Sequence, residues 1–171
     1  MWPWGHLAVG YLGFLAYTQL TARDWQANHL AGAMVAIVAT QLPDLIDKPL
    51  AWSFHLLPSG RSLAHSLFAV AFFSVVFWWG VRKYDRGYLT VPFFIGYLSH
   101  PIADGWTHLL AGSWSKVTYF LYPLTPAPVY ENEGGFISHF ASMHFSPYMW
   151  VQIGLAFVAI GLFVLIESRA R

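Results

Sequence analysis

Five long apolar stretches dominate the pattern of hydrophobic and polar positions along the chain. They cover residues 5–20, 30–42, 62–81, 88–110 and 148–166, with polar or charged clusters between them. About 20 apolar residues cross the hydrocarbon core of a bilayer, so the last three stretches are long enough and the first is marginal. The second is short, because Pro43 disfavours helix in the residue before it. Lipid offers no partner for backbone polar groups, and the alternation of a barrel strand is missing, so we expect helices. The pattern predicts an all-α, polytopic membrane bundle of about five helices.

Composition supports a membrane environment. The chain is 57% hydrophobic and 19% aromatic, and only 10% of its 171 residues are charged. Soluble domains carry roughly 25% charged residues. This length predicts a single integral membrane domain over residues 1–171. The net charge of +1 provides no basic surface for nucleic acid, and the absence of cysteine excludes thiolate metal sites. The bilayer is therefore the expected partner.

Basic residues predict the orientation of the bundle. Alternating helices place six of them on one side: Arg23, Arg82, Lys83, Arg86, Arg169 and Arg171. Only Lys48, Arg61 and Lys116 fall on the other side. Because cytoplasmic loops are enriched in Lys and Arg, we expect an inner-membrane protein with its C-terminus in the cytoplasm. A loop over residues 111–147, between the fourth and fifth helices, then lies outside. Loops of this length often build or cover a site. The roles of its His139 and His144 stay open.

Ionisable residues gather at the outer face in this topology. Helices that alternate in direction bring several separate segments together there, with these residues: His6, Asp44, Asp47, Arg61, His65, His100, Asp104, His108, His139 and His144. The spacing of four between His100, Asp104 and His108 puts all three on one stripe of a helix. Imidazole and carboxylate together are the ligands of zinc and similar divalent ions. The cluster therefore predicts a metal site near this face.

Some of these residues also have simpler interpretations. His29 and His55 are better explained as packing or proton-relay groups. Asp44 could instead cap or terminate a helix after Pro43, and Arg61 could instead reach the lipid headgroups. His108 lies close to a helix end, where it can face water. For His100 and Asp104 we favour a functional role, because ionisable groups buried in lipid are costly unless they are paired.

Four ordered motifs resemble the YdjM-like family of membrane-bound metal-dependent hydrolases. They are an early His6, the segment PDLID at 43–47, the segment RSLAHS at 61–66 and the segment HPIAD at 100–104. The resemblance covers residues 6 to about 110. That family in turn is similar to the all-helical zinc-dependent phospholipase C and S1/P1 nuclease group.

The second resemblance implies one or two zinc ions. By analogy Asp104 would bridge two metals, Asp44, His65 and His100 would complete one site, and His6 would help the other. Two departures weaken the analogy. Met1 precedes Trp2, where the soluble enzymes use a processed N-terminal tryptophan, and no further HxxxE or HxxxD pair appears at His108, His139 or His144.

Together these features predict a metal-dependent hydrolase that acts on a phosphate ester or phosphodiester of an amphiphilic, lipid-like substrate. We expect metal ligands among His6, Asp44, His65, His100, Asp104 and His108. Arg61 is expected to bind a phosphate oxygen, and Asp47 to orient a histidine ligand or act as a general base. A metal-ion or proton transporter that uses the same residues is the alternative, and a scaffold without chemistry is a third. A transporter needs polar groups through the depth of the membrane, whereas these lie towards one end.

Overall fold

A computed structural model describes residues 1–21, 28–128 and 135–169, without the side chain of Arg169. Within these ranges all regular structure is helical and no strand occurs, so the predicted all-helical class is confirmed. The α-helices are α1 (Pro3–Thr21), α2 (His29–Ala39), α3 (Leu42–Trp52), α4 (Leu67–Arg82), α5 (Thr90–Leu110), α6 (Phe136–Ala141) and α7 (Pro147–Arg169). Short 3-10 turns occupy Gly87–Leu89, Trp114–Lys116 and Thr118–Leu121.

The pattern predicts that the helix of the second apolar stretch ends at Pro43, but helical structure continues beyond this residue. After a two-residue break at Thr40 and Gln41, α3 begins at Leu42 with Pro43 in its first turn. Proline is tolerated there because the first N–H groups of a helix have no helical partner. α2 and α3 together form one apolar helical unit of 24 residues, His29–Trp52. The break leaves the Thr40 carbonyl available to a side chain from another helix.

Two helical units of the described chain are long and apolar enough to cross a membrane. They are His29–Trp52 and Pro147–Ser168, and the apolar helix Leu67–Arg82 is shorter. α5 has sufficient length, but His100, Asp104 and His108 lower its mean hydropathy. The predicted bundle of five spanning helices is therefore not confirmed.

Small residues bring α1, α2 and α5 close together. α1 packs against α2, α5 and α7, while α5 also contacts α2, α3 and α4. A Cβ added to Gly96 would lie 2.2 Å from the Ala36 carbonyl oxygen, and one added to Gly10 would lie 2.0 Å from Thr40 Cγ2. Such close approach is typical of small residues at helix interfaces in membranes. It sets the spacing between the helices that carry the polar cluster.

Part of the charge argument falls outside the described residues. Arg23 and Arg171 lie there, as do residues 129–134 of the loop between α5 and α7. The described part of this loop contains α6 and two 3-10 turns. The orientation of the chain in the membrane stays a prediction.

Candidate metal centre

Four side chains from three segments converge on one point. Asp44 comes from α3, His65 from the loop before α4, and His100 and Asp104 from α5; their ligand atoms lie within 4.8 Å of one another. The two Nε2 atoms of His65 and His100 are 3.1 Å apart. Asp44 Oδ1 lies 3.6 Å from His65 Nε2 and 3.5 Å from His100 Nε2. Asp104 Oδ2 lies 3.7 and 3.9 Å from the same two nitrogens.

These separations fit one divalent ion. Ligand atoms about 2.0–2.1 Å from a tetrahedral ion are ~3.3 Å apart. The nitrogen–nitrogen distance of 3.1 Å lies below that value, and the nitrogen–oxygen distances of 3.5–3.9 Å lie above it. Two imidazoles with two carboxylates are also a donor set that zinc and related ions accept. The four residues therefore can bind a metal ion, and their chemistry leaves its identity open.

The hydrogen bonds of both imidazoles aim their Nε2 atoms at this point. His100 Nδ1 donates to the Thr40 carbonyl at 2.5 Å, and His65 Nδ1 donates to Asp47 Oδ2 at 2.8 Å. A carbonyl or carboxylate oxygen only accepts, so the Nδ1 atoms carry the hydrogens. In the neutral rings both Nε2 lone pairs then face each other across 3.1 Å. Such a contact is repulsive until a cation lies between the two atoms.

Asp47 holds His65 and the loop before α4. It is fully buried and accepts hydrogen bonds from the backbone N–H groups of Ser62, Ala64 and His65 at 2.9, 2.8 and 3.2 Å. With the His65 ring as a fourth donor, its oxygens are fully engaged. A carboxylate that orients a ligating histidine in this way fixes the direction of the other nitrogen.

The electrostatic environment of His65 favours positive charge. Burial lowers the pKa of the His65 imidazole, but its hydrogen bonds to Asp44 and Asp47 and their charges outweigh burial and raise the pKa above its usual value. The carboxylates thus attract a proton or a metal ion to the same position.

The two oxygens of Asp104 face different partners. Oδ2 faces the histidine pair and accepts from Arg61 Nε at 2.6 Å. Oδ1 contacts the amino group of Met1 and lies 3.2 Å from His6 Nε2, without the alignment of a hydrogen bond. The buried His6 ring stacks on His100, with centroids 3.6 Å apart. His6 is therefore next to the four-residue cluster without belonging to it.

Three further histidines border a cavity beside the cluster. His108, His139 and His144 line it with Lys48, Arg61 and Lys116, and its volume is about 550 Å³. His108 is thus on the cavity wall and outside the group of four. Trp2 and Trp52 pack on the His139 ring, with centroid distances of 4.9 and 5.4 Å, and His139 brings α6 to the wall of this cavity.

Three residues that support the site were not assigned from the sequence. Thr40 offers its carbonyl to His100, Lys48 pairs with Asp44 at 2.5 Å, and the Tyr97 hydroxyl donates to the Ala64 carbonyl at 2.9 Å. The spacing of four between Asp44 and Lys48 on one helix is a signal that predicts their pairing. No comparable sequence signal marks the Thr40 carbonyl, because it depends on the break between α2 and α3.

The chain matches the family model described as YdjM inner membrane protein over residues 1–170. It therefore belongs to this family, and an inner-membrane environment agrees with its two apolar helical units. Comparisons with curated proteins and with solved structures give no match.

Proposed function

We propose that this member of the YdjM inner membrane protein family is a membrane-embedded metal-dependent hydrolase that cleaves a phosphate ester or phosphodiester of a lipid-like substrate. One observation carries the proposal. Two imidazole nitrogens with lone pairs and two carboxylates converge within 4.8 Å, beside a cavity lined by cationic side chains.

Asp44, His65, His100 and Asp104 would hold the ion, most readily Zn²⁺ by the choice of ligands. When bound, such an ion polarises the scissile group and lowers the pKa of water towards about 7. Asp47 positions His65, since all of its hydrogen bonds hold the ring and its loop. Arg61 borders the cavity, which supports a role for its guanidinium group in binding a phosphate oxygen.

The location of the cavity supports an amphiphilic substrate. Its lining includes Trp2, Trp52, Tyr148 and Met149 besides the cationic residues. Aromatic side chains with a polar edge are typical of the membrane–water interface. A substrate with an anionic head and an apolar tail matches both kinds of lining.

Transport of a metal ion or a proton by the same residues is the rival function. The four-residue cluster is compact, with its ligand atoms within 4.8 Å of one another, whereas a relay needs ionisable groups spread through the depth of the membrane. Metal flux into sealed vesicles that depends on His100 would favour transport over hydrolysis.

The direct test compares two identical histidine substitutions. His100→Asn removes a convergent imidazole, while His55→Asn changes an exposed histidine whose positive φ of 53° asparagine tolerates. We expect elemental analysis to find metal in the wild type and in His55→Asn, and to find it lost from His100→Asn. Hydrolysis of phosphomonoester and phospholipid substrates should follow the metal content.

Two results would count against the hydrolase. Metal that persists in His100→Asn contradicts the ligand assignment. Metal binding without turnover of any phosphomonoester or phosphodiester in the panel contradicts the activity and leaves the metal site intact. Asp104→Asn extends the test to the carboxylate that contacts both Arg61 and Met1.

A further inference from the structure

Two basic side chains occupy an unusual position between the cluster and the cavity. Lys48 Nζ contacts Asp44 Oδ2 at 2.5 Å, and Arg61 Nε contacts Asp104 Oδ2 at 2.6 Å. Asp44 and Asp104 are the two carboxylates of the four-residue cluster. Lys48 and Arg61 also line the cavity of about 550 Å³ beside it. Each cation therefore contacts a candidate metal ligand and faces the space where a substrate would bind.

The two cations neutralise the carboxylates as a metal ion would. An unpaired carboxylate is costly in a buried site, so each one gains from a positive partner. Asp104 is buried, and the side chain of Asp44 is 11% exposed in its pair with Lys48. A divalent ion bound by the same oxygens would supply this charge itself. It would weaken the attraction of Asp44 for Lys48 and of Asp104 for Arg61, and would repel both cations.

The rest of the cavity is suited to an anion. Lys116, His108, His139 and His144 complete its basic lining, and among the residues that the structure describes no carboxylate belongs to the lining. Lys48 also lies 5.5 Å from the centroid of the Trp52 ring, which keeps its ammonium group at the cavity wall. Arg61 offers a planar set of donors that matches a phosphate group.

We propose that Lys48 and Arg61 exchange partners when the cluster binds metal: they release Asp44 and Asp104 to the ion and bind a phosphate group in the adjoining cavity. This inference rests on the proposed function, because it assumes that the cluster binds metal. It adds a binding order, in which the metal creates the anion site. Since coupling between two sites is reciprocal, phosphate must also strengthen metal binding.

Inorganic phosphate and Zn²⁺ are sufficient probes, and no turnover is needed. In purified detergent-solubilised protein we expect Zn²⁺ to raise the affinity for phosphate by at least about 5-fold, the lower end of typical coupling between sites. Calorimetry measures phosphate binding, and competition with a coloured chelator measures Zn²⁺ binding. The variants are Lys48→Met and Arg61→Gln. The matched controls are Lys83→Met and Arg82→Gln, whose side chains lie over the Trp79 and Trp78 rings outside the cavity.

The expected result separates metal binding from coupling. Lys48→Met and Arg61→Gln should keep or increase Zn²⁺ affinity, because a competing cation is gone, and should lose the Zn²⁺-dependent gain in phosphate affinity. Both controls should retain that gain. If the gain in phosphate affinity comes only from a direct contact between Zn²⁺ and phosphate, it will survive in Lys48→Met and Arg61→Gln. That result would overturn the exchange of partners. Loss of Zn²⁺ binding in these two variants overturns it as well.

The same measurement identifies the source of the phosphate group. The binding of inorganic phosphate is measured in phosphatidylcholine nanodiscs with and without phosphatidic acid. If phosphatidic acid competes with inorganic phosphate, the site binds a lipid headgroup; if it does not compete, the site binds free phosphate. Failure of this inference is distinct from failure of the proposed function. Zn²⁺ bound without coupling to phosphate contradicts only the inference, whereas no Zn²⁺ binding in the wild type contradicts both.

Discussion

Two histidine–carboxylate pairs lie near opposite ends of α2. In both pairs the histidine Nδ1 atom bonds to a carboxylate, but the surroundings of the Nε2 atom differ. His65 Nδ1 bonds to Asp47 at 2.8 Å, and His29 Nδ1 bonds to Glu167 at 2.7 Å. His29 begins α2, roughly 16 Å along the helix from Thr40 at a rise of 1.5 Å per residue. Both imidazoles are buried.

The second nitrogen of each ring makes the difference. His65 Nε2 faces His100, Asp44 and Asp104, all within 3.7 Å. Within the part of the chain that the structure describes, the buried His29 Nε2 has no hydrogen-bond partner. The centroid of the His29 ring lies 5.4 Å from that of Phe14 and 6.3 Å from that of Tyr11. A buried imidazole beside a carboxylate is thus not sufficient for a metal site. The other nitrogen must face further ligands.

The largest effect should come from removing the negative charge of each carboxylate. Asp47→Asn replaces an acceptor of four hydrogen bonds by an amide that presents its own N–H groups to the loop. We expect metal affinity to fall about 10–100-fold, as for other groups that orient ligating histidines. Glu167→Gln should leave metal affinity unchanged and lower the free energy of unfolding by roughly 1–2 kcal/mol. Chelator competition and denaturation in detergent measure the two quantities. Equal loss of metal in both variants would show that the two histidine–carboxylate pairs do not differ in their role in metal binding.

A second test concerns the spacing of the helices under the cluster. Gly96 lies one turn before His100 on α5 and approaches the Ala36 backbone one turn before Thr40. Gly96→Ala should force α2 and α5 apart, at a cost of about 1–3 kcal/mol in unfolding free energy, and weaken the bond from His100 to the Thr40 carbonyl. The control Gly154→Ala on α7 meets no atom within 4 Å and should be tolerated. Thermal unfolding and Zn²⁺ titration of both variants check this. A Gly96→Ala protein with wild-type stability would show that α2 and α5 can adjust their spacing.

The smallest effect should separate two buried tyrosines. The Tyr97 hydroxyl donates to the Ala64 carbonyl beside His65, whereas the buried Tyr11 hydroxyl near His29 has no hydrogen-bond partner among the described residues. Tyr97→Phe should cost about 1 kcal/mol of unfolding free energy, because it leaves a buried carbonyl without its donor. Tyr11→Phe should be neutral or stabilising, because it removes an unpaired polar group. Chemical denaturation can resolve this difference, and a larger loss from Tyr11→Phe would imply that its hydroxyl has a functional partner.

The sequence predicted the convergence of Asp44, His65, His100 and Asp104 better than it predicted the spanning helices. His100 and Asp104 share a helical stripe whatever the tertiary structure, and alternating helices bring Asp44 and His65 to the same end. Pro43 was misinterpreted as a helix end, because proline is unfavourable for the residue before it and favourable in the first turn of the next helix. Local sequence does not decide between these effects.

The sequence alone could not predict contacts that depend on how the helices pack. The stacking of His6 on His100 needs the close approach of α1 and α5, and the bond to the Thr40 carbonyl needs the break after α2. Apolar length predicted five spans, of which two are clearly apolar enough within the described residues; the stretch that carries His100 and Asp104 has the length of a span without its hydropathy.

The ion pairs of Lys48 with Asp44 and of Arg61 with Asp104 also bear on how the protein is made. A nascent chain that carries partners for its own carboxylates can insert and pack without leaving two unpaired negative charges in a medium of low dielectric constant. If the cluster binds metal as proposed, biosynthesis and acquisition of metal are separate events. The supply of metal in the cell, and not the folding of the chain, would decide when each copy becomes competent.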